Sequence, residues 1–262
     1  MEADLGVVLK TTPLRESDLL VVLYTSERGR IAAVARGARK SQRRFSGALQ
    51  LLVLGRYQLG RRPRGELWSL ESADVEREWS ELARDVIAVA HASYAAELVA
   101  SLLPPEAPDP HALALIVSLW DALAQGGPSV GALRAFEISL LELAGHGPAL
   151  AGCAACGSTD LEAGALFDPD RGGAICRRCG ATSRGPGVRP IDAATLAYLR
   201  AAAAAESPVT ARALDADPAF APADRTAGRD AVVAMVQGLV GRPLKSLEYI
   251  AKLGAARYDR GR

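Results

Sequence analysis

Hydrophobic and polar positions change their rhythm along this chain. From Leu5 to about Val75, apolar and β-branched residues come in short runs broken by turn residues, the pattern of a half-buried sheet. The runs are Leu5–Thr11, Leu19–Thr25, Arg30–Ala35, Leu49–Gln58 and Glu66–Ser72, and Gly29 in the Glu27–Arg30 turn is free to take positive φ. Five strands of this length predict a small barrel. The strand count fits an oligonucleotide/oligosaccharide-binding (OB) barrel, and an SH3-like barrel would use the same number.

After about Trp79 the apolar spacing becomes three and four residues, and Ala, Leu and Glu dominate. This predicts helices at about Glu78–Leu103, His111–Gln125 and Ser129–Gly145, separated by the helix-stopping segments PPEAPDP and GGPS. Helical spacing returns at about Ala193–Ala205, Arg225–Gly241 and Leu244–Leu253, and the final RYDRGR is expected to fray. The expected architecture is α+β and multidomain. A five-stranded OB-fold domain spans 1–78 and the first part of a helical bundle 79–146. A four-cysteine, zinc-ribbon-like module is inserted at 147–190, and the C-terminal part of the helical domain covers 191–262.

All four cysteines fall in one pattern, Cys153-x-x-Cys156-Gly and Cys176-x-x-Cys179-Gly, with 19 residues between the pairs. A two-residue gap lets both thiolates of a pair reach one ion, and two such pairs supply the four ligands of a tetrahedral structural zinc site. A redox C-x-x-C pair and an iron–sulfur site are the alternatives. Four thiolates would leave no open position for water, so catalytic zinc is not expected. Arg177, Arg178 and Arg184 around the second pair have two readings, phosphate contacts or a basic rim that favours thiolates.

The net charge of +1 conceals a basic first block, an acidic middle and a mildly basic end. Between Arg28 and Arg64 there are eleven Lys and Arg and no Asp or Glu, which points to a polyanion partner. Arg36, Arg39, Lys40, Arg43 and Arg44 form its densest part, expected on a long loop, and Arg61, Arg62 and Arg64 a second cluster at a hairpin tip. Phe45, Tyr57 and Trp68 are the aromatic candidates for base stacking, with Trp68 also suited to the core. No recognition-helix pattern is present, so binding is expected to tolerate sequence.

Other chemistry is weakly represented. There is no G-x-x-x-x-G-K-[ST] or G-x-G-x-x-G loop, His91, His111 and His146 are scattered, and no carboxylate pair is singled out, so a non-enzymatic protein is expected. No leader pattern and no long apolar span occur, and four cysteines without a leader suit metal binding in a reducing cytoplasm better than disulfides.

The segments GVVLKTTPLRESDLLVVLYTSERGRIAAVARGARK, RRFSGALQ, FEISLLELAGHGPALAGCAACG, FDPDRGGAICRRCG and RPLKSLEYI, in this order, resemble the bacterial RecO family of recombination mediators. The resemblance implies an N-terminal OB fold, a helical domain and a zinc module. It also implies binding of single- and double-stranded DNA and annealing of complementary strands. The implied partners are RecR, the C-terminal tail of single-stranded DNA-binding protein and, indirectly, RecA, which is loaded onto DNA at the nucleoid. Arg36, Arg39, Lys40, Arg43 and Arg44 are then the DNA positions and Cys153, Cys156, Cys176 and Cys179 the zinc ligands. Arg242, Lys245 and Lys252 are candidates for the acidic tail of the single-strand binder. The competing expectation is a zinc-containing OB scaffold or regulator that binds protein or RNA.

Overall fold

A computed structural model describes residues 2–45, 47–61, 67–161 and 164–260. The strands and helices of the first half are β1 (Glu2–Pro13), β2 (Leu19–Thr25), β3 (Gly29–Ala35), α1 (Gln42–Phe45), β4 (Val53–Gly60), β5 (Trp68–Glu78), α2 (Val86–Leu102) and α3 (Pro110–Gly126). The second half contains α4 (Val130–Leu143), β6 (Ala165–Asp168), β7 (Gly173–Ile175), α5 (Arg177–Gly180), β8 (Arg189–Ile191), α6 (Ala193–Ala203), α7 (Pro208–Ala211), α8 (Pro222–Val240) and α9 (Lys245–Arg260). Two compact units result, residues 1–128 with 245–262 and residues 129–244.

In the first unit the strands close into a barrel of order β1-β2-β3-β5-β4, with β4 pairing back onto β1. All pairings are antiparallel except β3 with β5, where Ala33 to Ala35 run parallel to Trp68 to Leu70. This Greek-key closure is that of an OB fold, which the strand count alone did not separate from an SH3-like barrel. Because side chains alternate across a strand, Val21, Leu23, Ile31, Ala33, Tyr57, Leu59 and Leu70 meet inside. Gly29 takes φ +65° at the β2–β3 turn, as its position required.

Three local expectations change. The basic segment is not one long loop, because α1 forms within it and sends Phe45, 3 % exposed, into the barrel core beside Ala48. The fifth strand extends to Glu78, which pairs with Val53 of β4. The following helix therefore starts at Val86 instead of Glu78, with the Asp85 carboxylate accepting the N–H groups of Ile87 and Ala88. Helix α9 continues to Arg260, through most of the tail expected to fray, and it packs on α2. Glu97 of α2 holds its first turn, accepting from the Lys245 and Ser246 amides at 3.3 and 2.9 Å and from the Ser246 hydroxyl at 2.5 Å.

In the second unit α4 packs against α6, α7 and α8. Phe136, Leu140, Leu199, Val232 and Val236 are buried there, and Tyr198 meets Phe220 edge to face at 5.5 Å. Arg134 and Glu137, one turn apart on α4, form an ion pair that is almost wholly buried. A small sheet of order β7-β6-β8 lies against α8. Among the described residues no helix is long and apolar enough to cross a membrane.

Candidate nucleic-acid interface and metal centre

The second unit brings all four cysteine sulfurs within 4.8 Å of one another. Cys176 follows β7 directly, and its amide N–H donates to Cys153 Sγ at 3.3 Å. The first pair turns back on itself through Gly157 N–H to the Cys153 carbonyl at 2.8 Å, with Gly157 at φ +73°. The glycine after the second pair serves differently. A Cβ on Gly180 would stand 2.3 Å from Leu166 Cδ1, so space and not φ demands glycine there. The Asp168 carboxylate ties the neighbouring turn, accepting from the Asp170 and Arg171 amides and from Ser183 Oγ at 2.7 Å.

The electrostatics of this cluster are those of thiolates in want of a cation. Burial opposes ionisation of Cys153, but the amides of Cys176, Ala155 and Cys156 outweigh it and lower the thiol to about 6. The Ser158 amide is the main cause that lowers Cys156, helped by Arg178. With those two ionised, Cys156 and Cys176 push Cys179 up to about 12. A bound dication removes that conflict, because a coordinated thiol gives up its proton outright. The geometry agrees. Four sulfurs about 2.3 Å from a tetrahedral centre lie about 3.8 Å apart, and Cys156 and Cys176 Sγ are 3.9 Å apart. Of the nearby arginines, Arg178 turns to the Cys156 sulfur, while Arg177 and Arg184 are exposed.

On the barrel, Arg36, Arg39, Lys40, Arg43 and Arg44 are all exposed. Their segment is pinned to the β1–β2 loop. The Gly37 N–H donates to Asp18 Oδ1 at 2.8 Å, which holds that carboxyl below its usual range, and the Arg39 N–H donates to the Ser17 carbonyl at 3.1 Å. Arg44 bends back, with Nη2 donating to the Arg36 carbonyl at 2.6 Å and its guanidinium over Phe45. The fold also supplies acids that the sequence window lacked. Arg28 pairs with Glu2 and Asp4, Lys40 with Glu16, Arg56 with Glu76 and Arg61 with Glu106. Arg36, Arg39, Arg43 and Arg44 have no carboxylate within ion-pair distance among the described residues, although Arg36 is near enough to Asp18 to help lower its carboxyl.

The expected second cluster is represented by Arg61 alone, since Arg62 and Arg64 lie outside the described residues. Of the aromatic candidates, Phe45 is core and so is Tyr57, whose hydroxyl donates to the Ala48 carbonyl at 3.0 Å. Only Trp68 remains partly exposed. The histidines are not brought together: His91 is buried in α2, while His111 and His146 are exposed. Arg242 belongs to the second unit, and Lys245 and Lys252 to the first. Sequence reasoning missed Glu106, Glu16 and the capping Glu97, whose roles depend on neighbours far away in the chain.

These features define an OB-fold protein with a cationic segment on its barrel and a four-thiolate metal module in a second, helical unit. Residues 1–79 match the family model for the recombination protein O N terminal, and residues 83–248 that for its C terminal. The chain is 39 % identical over 259 residues to the DNA repair protein RecO of Anaeromyxobacter sp. (strain K), covering 95 % of each. It is 34 % identical to that of Symbiobacterium thermophilum over 268 residues, covering 96 % of this chain and 97 % of the relative. It is also 34 % identical to that of Myxococcus xanthus over 254 residues. The chain belongs to the RecO family of DNA repair and recombination proteins.

Proposed function

We propose that this protein is a recombination mediator that acts by binding DNA, single- and double-stranded, and annealing complementary strands. The observation that carries this reading is the exposed Arg36–Arg44 segment, where four arginines have no carboxylate within ion-pair distance among the described residues. Such guanidiniums displace condensed counterions from phosphates, which gives affinity without base reading. Neutralising two strands on one surface lets them pair without phosphate repulsion. Arg61, and Arg62 and Arg64 outside the described residues, are further proposed DNA contacts. No covalent step is required, so the protein is not an enzyme on this reading.

The four-cysteine cluster is proposed to hold one structural zinc ion. Soft sulfur donors at tetrahedral spacing suit zinc, and Cys153, Cys156, Cys176 and Cys179 would hold it. Zinc supplies no chemistry here beyond linking the turns and strands of the module. Following the family, the proposed partners are RecR, the C-terminal tail of single-stranded DNA-binding protein and, through them, RecA, on DNA in the cytoplasm at the nucleoid. Arg242, Lys245 and Lys252 are the proposed contacts for that acidic tail, and a tail-peptide titration unchanged by Lys245→Glu would remove that residue.

The test is annealing of two complementary labelled oligonucleotides, with DNA affinity measured across salt, for wild type and for Arg39, Lys40, Arg43 and Arg44 changed together to Ala. The variant should lose annealing, and its dependence of log affinity on log salt should flatten by about 3.6 on duplex or about 2.8 on single strands. A wild type that prefers RNA and anneals nothing would instead favour a protein- or RNA-binding scaffold.

A further inference from the structure

The connection between α2 and α3 runs along the barrel as an extra edge. Arg30 and Pro105 form a parallel bridge, and the Glu106 N–H donates to the Arg30 carbonyl at 2.9 Å. Arg30 Nε donates in turn to the Leu103 carbonyl at 2.8 Å. The approach is close, since a Cβ on Gly29 would stand 2.5 Å from the Ala107 carbonyl oxygen. Beside this edge is a cavity of about 500 Å³, walled by Val22, Ile31 and Ala32 on the apolar side and by Arg30, Arg61 and Glu106 on the polar side.

Trp68 stands next to it with the guanidinium groups of Arg28 and Arg61 over its ring, 5.1 and 5.2 Å from the centroid. The Glu106 carboxylate, itself partly exposed, links the Trp68 indole to Arg61. Its Oε1 accepts the Trp68 indole N–H at 3.0 Å, and its Oε2 lies 3.8 Å from Arg61 Nη2. Glu106 does so from φ +52°, a backbone conformation that a glutamate rarely adopts and that the surrounding contacts must enforce.

We propose that this cavity is a binding site for one phosphate-and-base unit of a single-stranded nucleic acid, closed in the free protein by Glu106, whose carboxylate occupies the phosphate position. The inference rests on the nucleic-acid reading above and adds to it a second subsite with a gate. A carboxylate and a phosphodiester make the same charge-assisted contacts with guanidinium, so one can replace the other. Once Arg61 leaves the indole ring to hold the phosphate, the ring face it covered accepts the face of any base, which a duplex keeps stacked and out of reach. Turning the Glu106 side chain outwards frees Arg61 and the indole N–H together.

The experiment is fluorescence anisotropy of a labelled oligothymidylate titrated with full-length wild type, Glu106→Gln, Glu106→Asp and Glu106→Gln with Arg61→Ala, across salt concentrations, with tryptophan quenching recorded alongside. Glu106→Gln should bind about three- to tenfold more tightly, with a salt slope steeper by about 0.7 as Arg61 takes a phosphate. Quenching should deepen as Trp68 stacks. Glu106→Asp, which keeps the charge, should gain less, and the added Arg61→Ala should cancel the gain. If Glu106→Gln binds no better than wild type while the four-residue loop variant loses binding, the gated site is wrong and the loop reading survives. If neither wild type nor Glu106→Gln binds, both readings fall.

Discussion

The cysteine module and the cationic segment are both clusters of like groups, yet they persist for opposite reasons. In the module, four thiols sit within 4.8 Å, Cys153 and Cys176 buried and Cys156 exposed, inside a frame of backbone amides, and their mutual repulsion calls for one central cation. On the barrel, the cations stay exposed and apart, held by bonds to backbone carbonyls and the β1–β2 loop. A closed cluster suits a ligand that is small and permanent. An open one keeps its charge available to something large and exchangeable. The fourfold sulfur spacing and the solvent exposure of the arginines, not the number of charges, distinguish the two.

The comparison breaks most directly at the metal. Removal of metal by a chelator, or Cys153→Ser, should destabilise the module and lower its melting temperature, because the free energy of metal binding adds to that of folding, read by calorimetry and by the metal content of purified protein. Protein that holds no metal and melts unchanged with chelator would sink the closed-cluster reading. The barrel should keep its own unfolding transition in the same experiment.

Next in size is the buried pair on α4. Arg134→Met alone should cost about 3–5 kcal/mol in urea unfolding, because it removes the guanidinium paired with the buried Glu137 carboxylate, whereas Arg134→Met with Glu137→Leu should cost much less. Equal losses from the single and double changes would mean that the pair contributes by packing alone. This separates the framework of the second unit from its metal.

A pH series sharpens the same point. The Cys153 thiol is near 6 in the fold against an ordinary 9.0, so the folded state is favoured increasingly as pH rises from about 6 towards 9. That contribution is absent below about 6, where both folded and unfolded thiols carry protons. Metal-free protein should therefore melt at lower temperature at pH 5.5 than at pH 8, and DNA affinity of the barrel should follow salt far more than this pH change. The smallest effect expected is at the helix cap beside the barrel, where Asp85→Ala should cost about 1 kcal/mol with DNA affinity unchanged.

Much of the molecule was legible in local pattern. Cysteine spacing is a property of a few consecutive residues, and a knuckle forms wherever two-residue gaps and small followers allow it. Period-two and period-three-to-four apolar spacing placed the barrel strands and most helices for the same reason. The errors arose where a distant segment intervened. Glu78 reads as the start of a helix until β4 pairs with it through Val53, and Phe45 reads as a loop aromatic until α1 turns it into the core cluster with Ala48 and Tyr57. A run without acids reads as wholly uncompensated until Glu2, Asp4, Glu16, Glu76 and Glu106 arrive from elsewhere.

The sequence by itself determined the fold class, the four-cysteine cluster and the family, since these depend on composition and on spacing along the chain. Tertiary structure alone decided which arginines remain without a carboxylate, which aromatic stays partly open, and that Glu106 lies beside Trp68 and Arg61. Charge and stacking act through space, and strand register and loop path set those distances.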